Sequence, residues 1–286
     1  MKVFLAVAAN VGFDVIKFIT GHEYKQRSAL KKEVIVEPPP EYKHDGMIWV
    51  LKKVVNGPYD EVRQSHLRID EALKQLGCKK VAGAEDMHTY HNEQGELNGL
   101  VYSYTEEFYS AGTEEFHDMI TNTLQKRFAV GRKDERLSKS TGLDIFYTEE
   151  GIIMKQNDHR DELEEIKIEN NKEPDRELNL DEHAKFRGKV ARIQHLSEGT
   201  RPDLAYDTLL MSMKAKNATV ADMKKLVKII RKAKEGDSIV TFKRIGRLED
   251  LKIIVMSHAS FRSMDGKVRL VEGRVIFLSD GINASL

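Results

Sequence analysis

The chain has 286 residues, 40% hydrophobic and 32% charged, and its 46 basic and 46 acidic side chains give a formal net charge of zero. That length supports one to two domains with a sizeable core, and the composition is ordinary for a soluble globular protein. Zero net charge excludes a global pull toward nucleic acid or membrane; the single cysteine, Cys78, excludes an intramolecular disulfide and fits a reducing compartment, cytoplasmic or nuclear.

Lys2 to Asn10 reads as a helix, although one lysine before the apolar run Val3 to Ala9 also matches a secretory signal in miniature. No later segment is long enough to span a bilayer, so no membrane partner is expected. Ile16 to Val36 is mixed, with Val34 and Val36 before Pro38-Pro39-Pro40 marking the end of a strand. Ile48 to Val55 reads as a strand. In Tyr59 to Leu76, the positions Val62, His66, Ile69, Leu73 and Leu76 share one helical face, closed by Gly77. Cys78 follows as a small buried hydrophobe rather than a nucleophile.

Met87 to Gln94 is a candidate strand with a turn at Asn92-Glu93-Gln94-Gly95. The run Gly99 to Gly112, rich in Val101, Tyr102, Tyr104, Phe108 and Tyr109, carries the adjacent carboxylates Glu106 and Glu107 at its tip, in a hairpin region of residues 87–109. His88 and His91 point to opposite faces of their strand and do not make a metal pair. Thr113 with Glu115 opens a helix whose Phe116, Ile120, Leu124 and Phe128 face a core. Leu143 to Tyr147 and Ile152 to Lys155 form a second hairpin around Glu149-Glu150-Gly151. Asp158 to Glu182 is acidic and without period, which reads as a linker.

Three helices follow, over Leu180–Leu196, Arg201–Met213 and Thr219–Lys234. Thr219 with Asp222 resembles a capping box, and Gly236 ends the last helix. That helix buries Val220, Met223, Leu226, Val227 and Ile230, and carries Lys224, Lys225, Lys228, Arg231 and Lys232. Such a basic face can track a phosphate backbone, or simply be a solvated face balancing the acidic stretch. Pro202 fits a first helical position and Asp203 the positive end of that helix.

Several of these segments, in order, resemble copia-type retrotransposon reverse transcriptases. The residues are Glu33-Val34-Ile35-Val36-Glu37-Pro38-Pro39, Met47 to Lys53, Gly57 with Asp60, Arg63 and Gln64, the hairpin at Thr105-Glu106-Glu107, and Thr200-Arg201-Pro202-Asp203-Leu204-Ala205. Leu251 to Phe261 is similar to the opening strand of the ribonuclease H domain that follows in that family, with Asp265-Gly266 turning into a second strand, Val268 to Leu278.

The resemblance implies an α+β fold. Residues 1–157 would be a palm-like antiparallel sheet with helices on one face and the fingers truncated, 158–182 an acidic linker, 183–236 a helical thumb-like module, and 237–286 a truncated ribonuclease H-like strand pair. It also implies sites for divalent metal. The family's hairpin pair is Asp-Asp, where this chain has Glu106 and Glu107. The first metal-binding Asp falls on Ile19, which has no oxygen for a hard cation, and Glu23 lies more than ~10 Å away along an extended strand. The ribonuclease H Asp falls on His258.

Each glutamate arm is longer by one methylene, and phosphoryl transfer depends on placing metals within about 0.5 Å. The expectation is therefore a catalytically degenerate protein, with no cofactor, that binds RNA–DNA or other nucleic acid through Lys224 to Lys234, or protein partners through edges left by truncation. The alternatives are a weak RNA-directed DNA polymerase using Mg or Mn at Glu106 and Glu107, and a relic without function.

Overall fold

The computed structural model describes residues 1–20, 29–42, 46–53, 59–104, 107–128, 130–135, 137–140, 142–166, 168, 173–264, 267–282 and 284–285. The fold is mixed α and β with antiparallel sheets. The chain divides into two units, Met1–Arg136 with Arg244–Leu286, and Leu137–Lys243. These boundaries differ from those expected from sequence, because strands from both sides of the helical stretch pair with each other.

The first unit starts with α1 (Lys2–Val11), then β1 (Asp14–Thr20), β2 (Ala29–Val36) and β3 (Trp49–Lys53). Next come α2 (Tyr59–Gln75), β4 (Lys79–Val81), β5 (Ala84–His91), β6 (Leu97–Tyr104) and β7 (Glu107–Gly112). The run expected as one apolar segment with a carboxylate tip is thus two strands, β6 and β7. α3 (Glu114–Phe128) and β8 (Val130–Glu135) complete the sheet. Gly77 closes α2 in the left-handed region, φ 86°, where a side chain would be strained.

Six strands lie in the order β4-β5-β6-β7-β1-β8, every pair antiparallel. β1 and β6 are parallel with β7 between them; β7 and β8 are parallel with β1 between them. This is the split β-α-β-β-α-β order, extended at one edge by β4 and β5. Period-2 alternation divides the sheet's faces. One face, Ile16, Phe18, Val101 and Phe108, packs on Ile69, Ala72 and Leu73 of α2 and Phe116, Ile120 and Leu124 of α3. The helix periodicities read from sequence land on this core.

The opposite face carries Tyr102 and Tyr109, and Phe4 of α1 lies 6.0 Å from the Tyr102 ring. A β-carbon at Gly99 or Gly112 would sit 2.3 Å or 2.5 Å from the Phe116 ring, so helix α3 approaches these strands only because both are glycine. Asn10, at the end of α1 and 3% exposed, accepts hydrogen bonds at Oδ1 from the N–H groups of Ile245 (3.0 Å) and Gly246 (3.2 Å).

The second unit runs through β9 (Leu137–Ser140), β10 (Leu143–Thr148), β11 (Gly151–Lys155) and α4 (Asn157–Asp161). It continues with α5 (Leu180–Gly199), a 3-10 turn at Pro202–Leu204, α6 (Ala205–Lys214), α7 (Val220–Lys234) and β12 (Ile239–Lys243). Its sheet order is β12-β11-β10-β9, with Ile153 opposite Thr241 and Met154 opposite Val240. The helices α5, α6 and α7 bury Phe186, Ile193, Leu196, Met211, Leu226 and Ile230 together.

The acidic stretch expected as a linker is not one along its described length. Leu163 is fully buried in the helical core, with Ile166, Ile168 and Leu178 packed against it. Glu177 bridges Thr219, and Arg176 donates to both Glu182 oxygens at 2.8–2.9 Å. Isolated apolar residues anchor a charged segment here without making a period.

The remaining part of the first unit is a long hairpin, β13 (Lys252–Met264) and β14 (Lys267–Ser279), with a short β15 (Ala284–Ser285). The turn expected at Asp265-Gly266 lies outside the described residues. Among the described residues no helix is long and apolar enough to cross a membrane.

Candidate functional site

β1 reads Asp-Val-Ile-Lys-Phe-Ile-Thr, a lone charge inside an apolar run. Alternation sends Ile16 and Phe18 to the helix-covered face, so Lys17 occupies the other face, 2% exposed. Its Nζ lies 2.7 Å from Glu107 Oε1 and 6.0 Å from the centre of the Tyr109 ring, its neighbour in the β1–β7 register. The Tyr109 hydroxyl, in turn, donates to Glu107 Oε2 at 2.8 Å. A buried ammonium is tolerated only when paired and hydrogen-bonded, and Glu107 supplies the pairing.

Two positions that the family resemblance assigned to metal are brought together by this pairing, since Ile19 is the backbone partner of Glu107. Glu106 lies outside the described residues. The described donors at this position do not fit a divalent cation. Ile19 offers no oxygen, both Glu107 oxygens are engaged, and an ammonium at 2.7 Å repels a second positive charge. Among the described residues no group of three or more His, Cys, Asp or Glu could hold a metal ion. Lys17 and Tyr109 were missed from sequence, where the only signal was a lysine breaking the pattern Val15-Ile16 and Phe18-Ile19.

The basic helix α7 begins at the capping box expected for it: Thr219 Oγ1 accepts from the Asp222 N–H at 3.4 Å and the Thr219 N–H donates to Asp222 Oδ2 at 3.2 Å. Part of its basic face is neutralised. Arg231 pairs with Glu165 (3.3 Å), Lys232 with Asp207 (3.3 Å) and Lys225 with Asp222 (3.6 Å). Lys224 and Lys228, one turn apart, have no ion-pair partner among the described residues.

Arg201 ties the C-terminal end of α7. Its guanidinium donates to the carbonyls of Lys232 (3.0 Å), Ala233 (2.8 Å) and Glu235 (2.9 Å), and grips Asp203 with two hydrogen bonds of 2.9 Å. The grip on Arg201 holds the Asp203 carboxyl below the usual carboxylate range. This agrees with a structural role for the Arg-Pro-Asp motif, with Pro202 in the first turn.

The remaining candidates are dispersed. His258 is exposed in mid-β13, opposite Gly273. His88 is 2% exposed and His91 exposed, as their alternation requires. His88 Nε2 meets Asp70 Oδ1 at 2.7 Å. Burial drops the His88 pKa below its ordinary value, although Asp70 opposes the shift. Burial raises the Asp70 carboxyl, but hydrogen bonds from Lys74 and His88 outweigh it and the net shift is down. His88 Nδ1 is buried with no hydrogen-bond partner. The side chain of His66 lies outside the described residues. No protein-family model matches the chain, and no curated protein is significantly similar to it.

Proposed function

We infer that the chain is a catalytically degenerate relative of copia-type reverse transcriptases, and that its present role is to bind nucleic acid through α7 rather than to synthesise it. The observation that carries this reading is the Lys17–Glu107 pair. In the β1–β7 register it lies where the resemblance would put a metal-held carboxylate, and it supplies the positive charge from the protein itself. A fixed ammonium neutralises one carboxylate but cannot bridge an attacking hydroxyl and a leaving phosphate as two metal ions do. The pair lies on the face of the split β-α-β-β-α-β sheet opposite α2 and α3, the face on which α1 packs.

For binding, Lys224 and Lys228 are two α7 cations without an ion-pair partner among the described residues, and the packed face of α7 fixes their direction. Phosphate contacts of this kind release counterions, so affinity falls with salt. The test is fluorescence anisotropy of a labelled RNA–DNA primer-template hybrid at low and moderate salt, with primer extension in Mg and Mn alongside. Binding that weakens with salt, and weakens further in Lys224→Gln/Lys228→Gln, is expected. Primer extension abolished by Glu107→Ala would sink the degenerate reading, and absence of binding at low salt would sink the nucleic-acid role.

A further inference from the structure

Among the described residues β13 is an edge strand of its sheet, since the strand order is β13-β14-β15. It is 13 residues long, and every residue from Lys252 to Phe261 is exposed. An edge of that length presents a row of unpaired N–H and C=O groups, and proteins usually blunt such edges with proline, inward charges or a bulge. None of these devices interrupts Lys252-Ile253-Ile254-Val255-Met256-Ser257-His258-Ala259-Ser260-Phe261, where Lys252 at the very start is the one Lys, Arg, Asp or Glu. Pairing with β14 is regular from Lys252↔Ser279 to Met264↔Lys267.

Both faces of the strand are apolar. One carries Ile253 (70% exposed), Val255 (54%) and, from β14, Ile276 (58%); the other carries Ile254 (39%), Met256 (61%) and Val275 (42%). Continuous apolar runs of this kind belong to strands with neighbours on every side. With Phe261 (79%), these residues leave large apolar side chains in water on both faces of the hairpin.

We propose that β13 is a self-association edge: two copies of this chain join the Lys252–Met256 stretch of their β13 strands antiparallel about a two-fold axis at Ile254, so that the two hairpins share one sheet. The sequence of the strand favours a second copy over an unrelated chain. In that register Ile254 meets its own counterpart and Ile253 meets Val255, so the apolar block pairs with itself. Lys252 lands opposite Met256, not opposite another lysine, and no like charges face each other. A two-fold through a residue also keeps each face continuous, with Ile253 and Val255 of both copies on the same side. The inference is independent of the nucleic-acid reading, since α7 belongs to the other unit.

Sedimentation velocity of the full chain from micromolar to near-millimolar concentration tests it. The expected result is a concentration-dependent shift to twice the chain mass, reverting to monomer in Ile253→Lys/Val255→Lys. These positions are exposed, so the variant's melting curve should match that of the parent. A second measurement fixes the register: Ile254→Cys, oxidised, should give a cross-linked dimer on a non-reducing gel while the parent does not, because Cys78 is buried. A parent chain that stays monomeric, a dimer indifferent to the lysine pair, or open-ended assemblies in place of a closed dimer would each overturn the proposal.

Discussion

Arg201 and Asp203 form a bidentate pair whose guanidinium also closes the C-terminus of α7, through the carbonyls of Lys232, Ala233 and Glu235. Those carbonyls lie at the helix end, where the Lys232 carbonyl also accepts from the Glu235 N–H at 3.2 Å, and a cation there complements the helix dipole. Hydrogen bonds involving a charged group contribute about 1.5–3 kcal/mol each at most and are not additive. Arg201→Ala should therefore cost about 3 kcal/mol in urea unfolding. Arg201→Lys should recover little, since an ammonium cannot fork between Asp203 and the helix end. Asp203→Asn should cost less than either.

The Lys17–Glu107 pair predicts an asymmetry. Glu107→Ala removes the carboxylate 2.7 Å from a lysine that is 2% exposed, and breaking a buried pair this way costs about 3–5 kcal/mol. Replacing both partners, Lys17→Met with Glu107→Leu, should restore most of the loss, because a matched apolar pair needs no charge compensation. Chemical denaturation of the two singles and the double makes the cycle. A double variant no more stable than Glu107→Ala would show that the pair holds more than its own charges.

Gly99→Ala should be severely destabilising for a packing reason. Its β-carbon would stand 2.3 Å from the Phe116 ring, which is stacked 5.3 Å from Tyr90 and has little room to retreat. Overpacking of this kind costs about 1–3 kcal/mol or more. Phe116→Leu, itself destabilising, should make the alanine less harmful. Additive losses in the Gly99→Ala/Phe116→Leu melt would contradict this account.

Two histidines give stability a slope near neutrality. Burial lowers the pKa of His88, and burial also lowers that of His159, whose ring meets His195 edge-on at 4.9 Å. With folded values below the ordinary 6.5, the unfolded chain binds more protons between the two values. Stability is then fully present above pH 6.5 and is lost as pH falls below it, toward the folded values. Thermal melts from pH 8 to pH 5 should show this loss, and His159→Phe should flatten part of it. A melting temperature flat across that range would count against both assignments.

Burial pushes the Cys78 thiol up to about 11, and the residue is 4% exposed. A thiolate-directed reagent at neutral pH should label it only when its surroundings open. Labelling in urea is expected to track unfolding. Rapid labelling of the native chain would be inconsistent with the packed neighbourhood of Ile69 and Leu73.

Local patterns carried much of this fold in the sequence. The apolar period of α2 and α3 marked Ile69, Leu73, Phe116, Ile120 and Leu124 as core, and all are buried. Thr219 and Asp222 marked the start of α7, and Pro202 stands in a first turn as expected, though of a 3-10 segment, while the tie of Arg201 to the end of α7 had no local signal. What escaped was non-local. Lys17 looks like an error in a strand until Glu107, far along the chain, arrives beside it. The anchoring of Leu163 and Leu178 was hidden because single apolar residues in an acidic stretch have no period to detect. The pairing of β11 with β12 was hidden because the whole helical region lies between them.

The contact of Asn10 with Ile245 and Gly246 spans 235 and 236 residues. On a ribosome adding about 5–20 residues per second, the carboxamide at the end of α1 waits on the order of 10–50 s for the backbone it will bind. Throughout that interval the first helix has emerged with its final partners still unmade, while the six strands from β1 to β8 are already available to pair. Vectorial synthesis therefore favours a nascent chain whose central sheet is assembled early and whose beginning is secured among the last events. A chain released before Ile245 would lack both N–H groups that the Asn10 carboxamide oxygen accepts from in the finished protein.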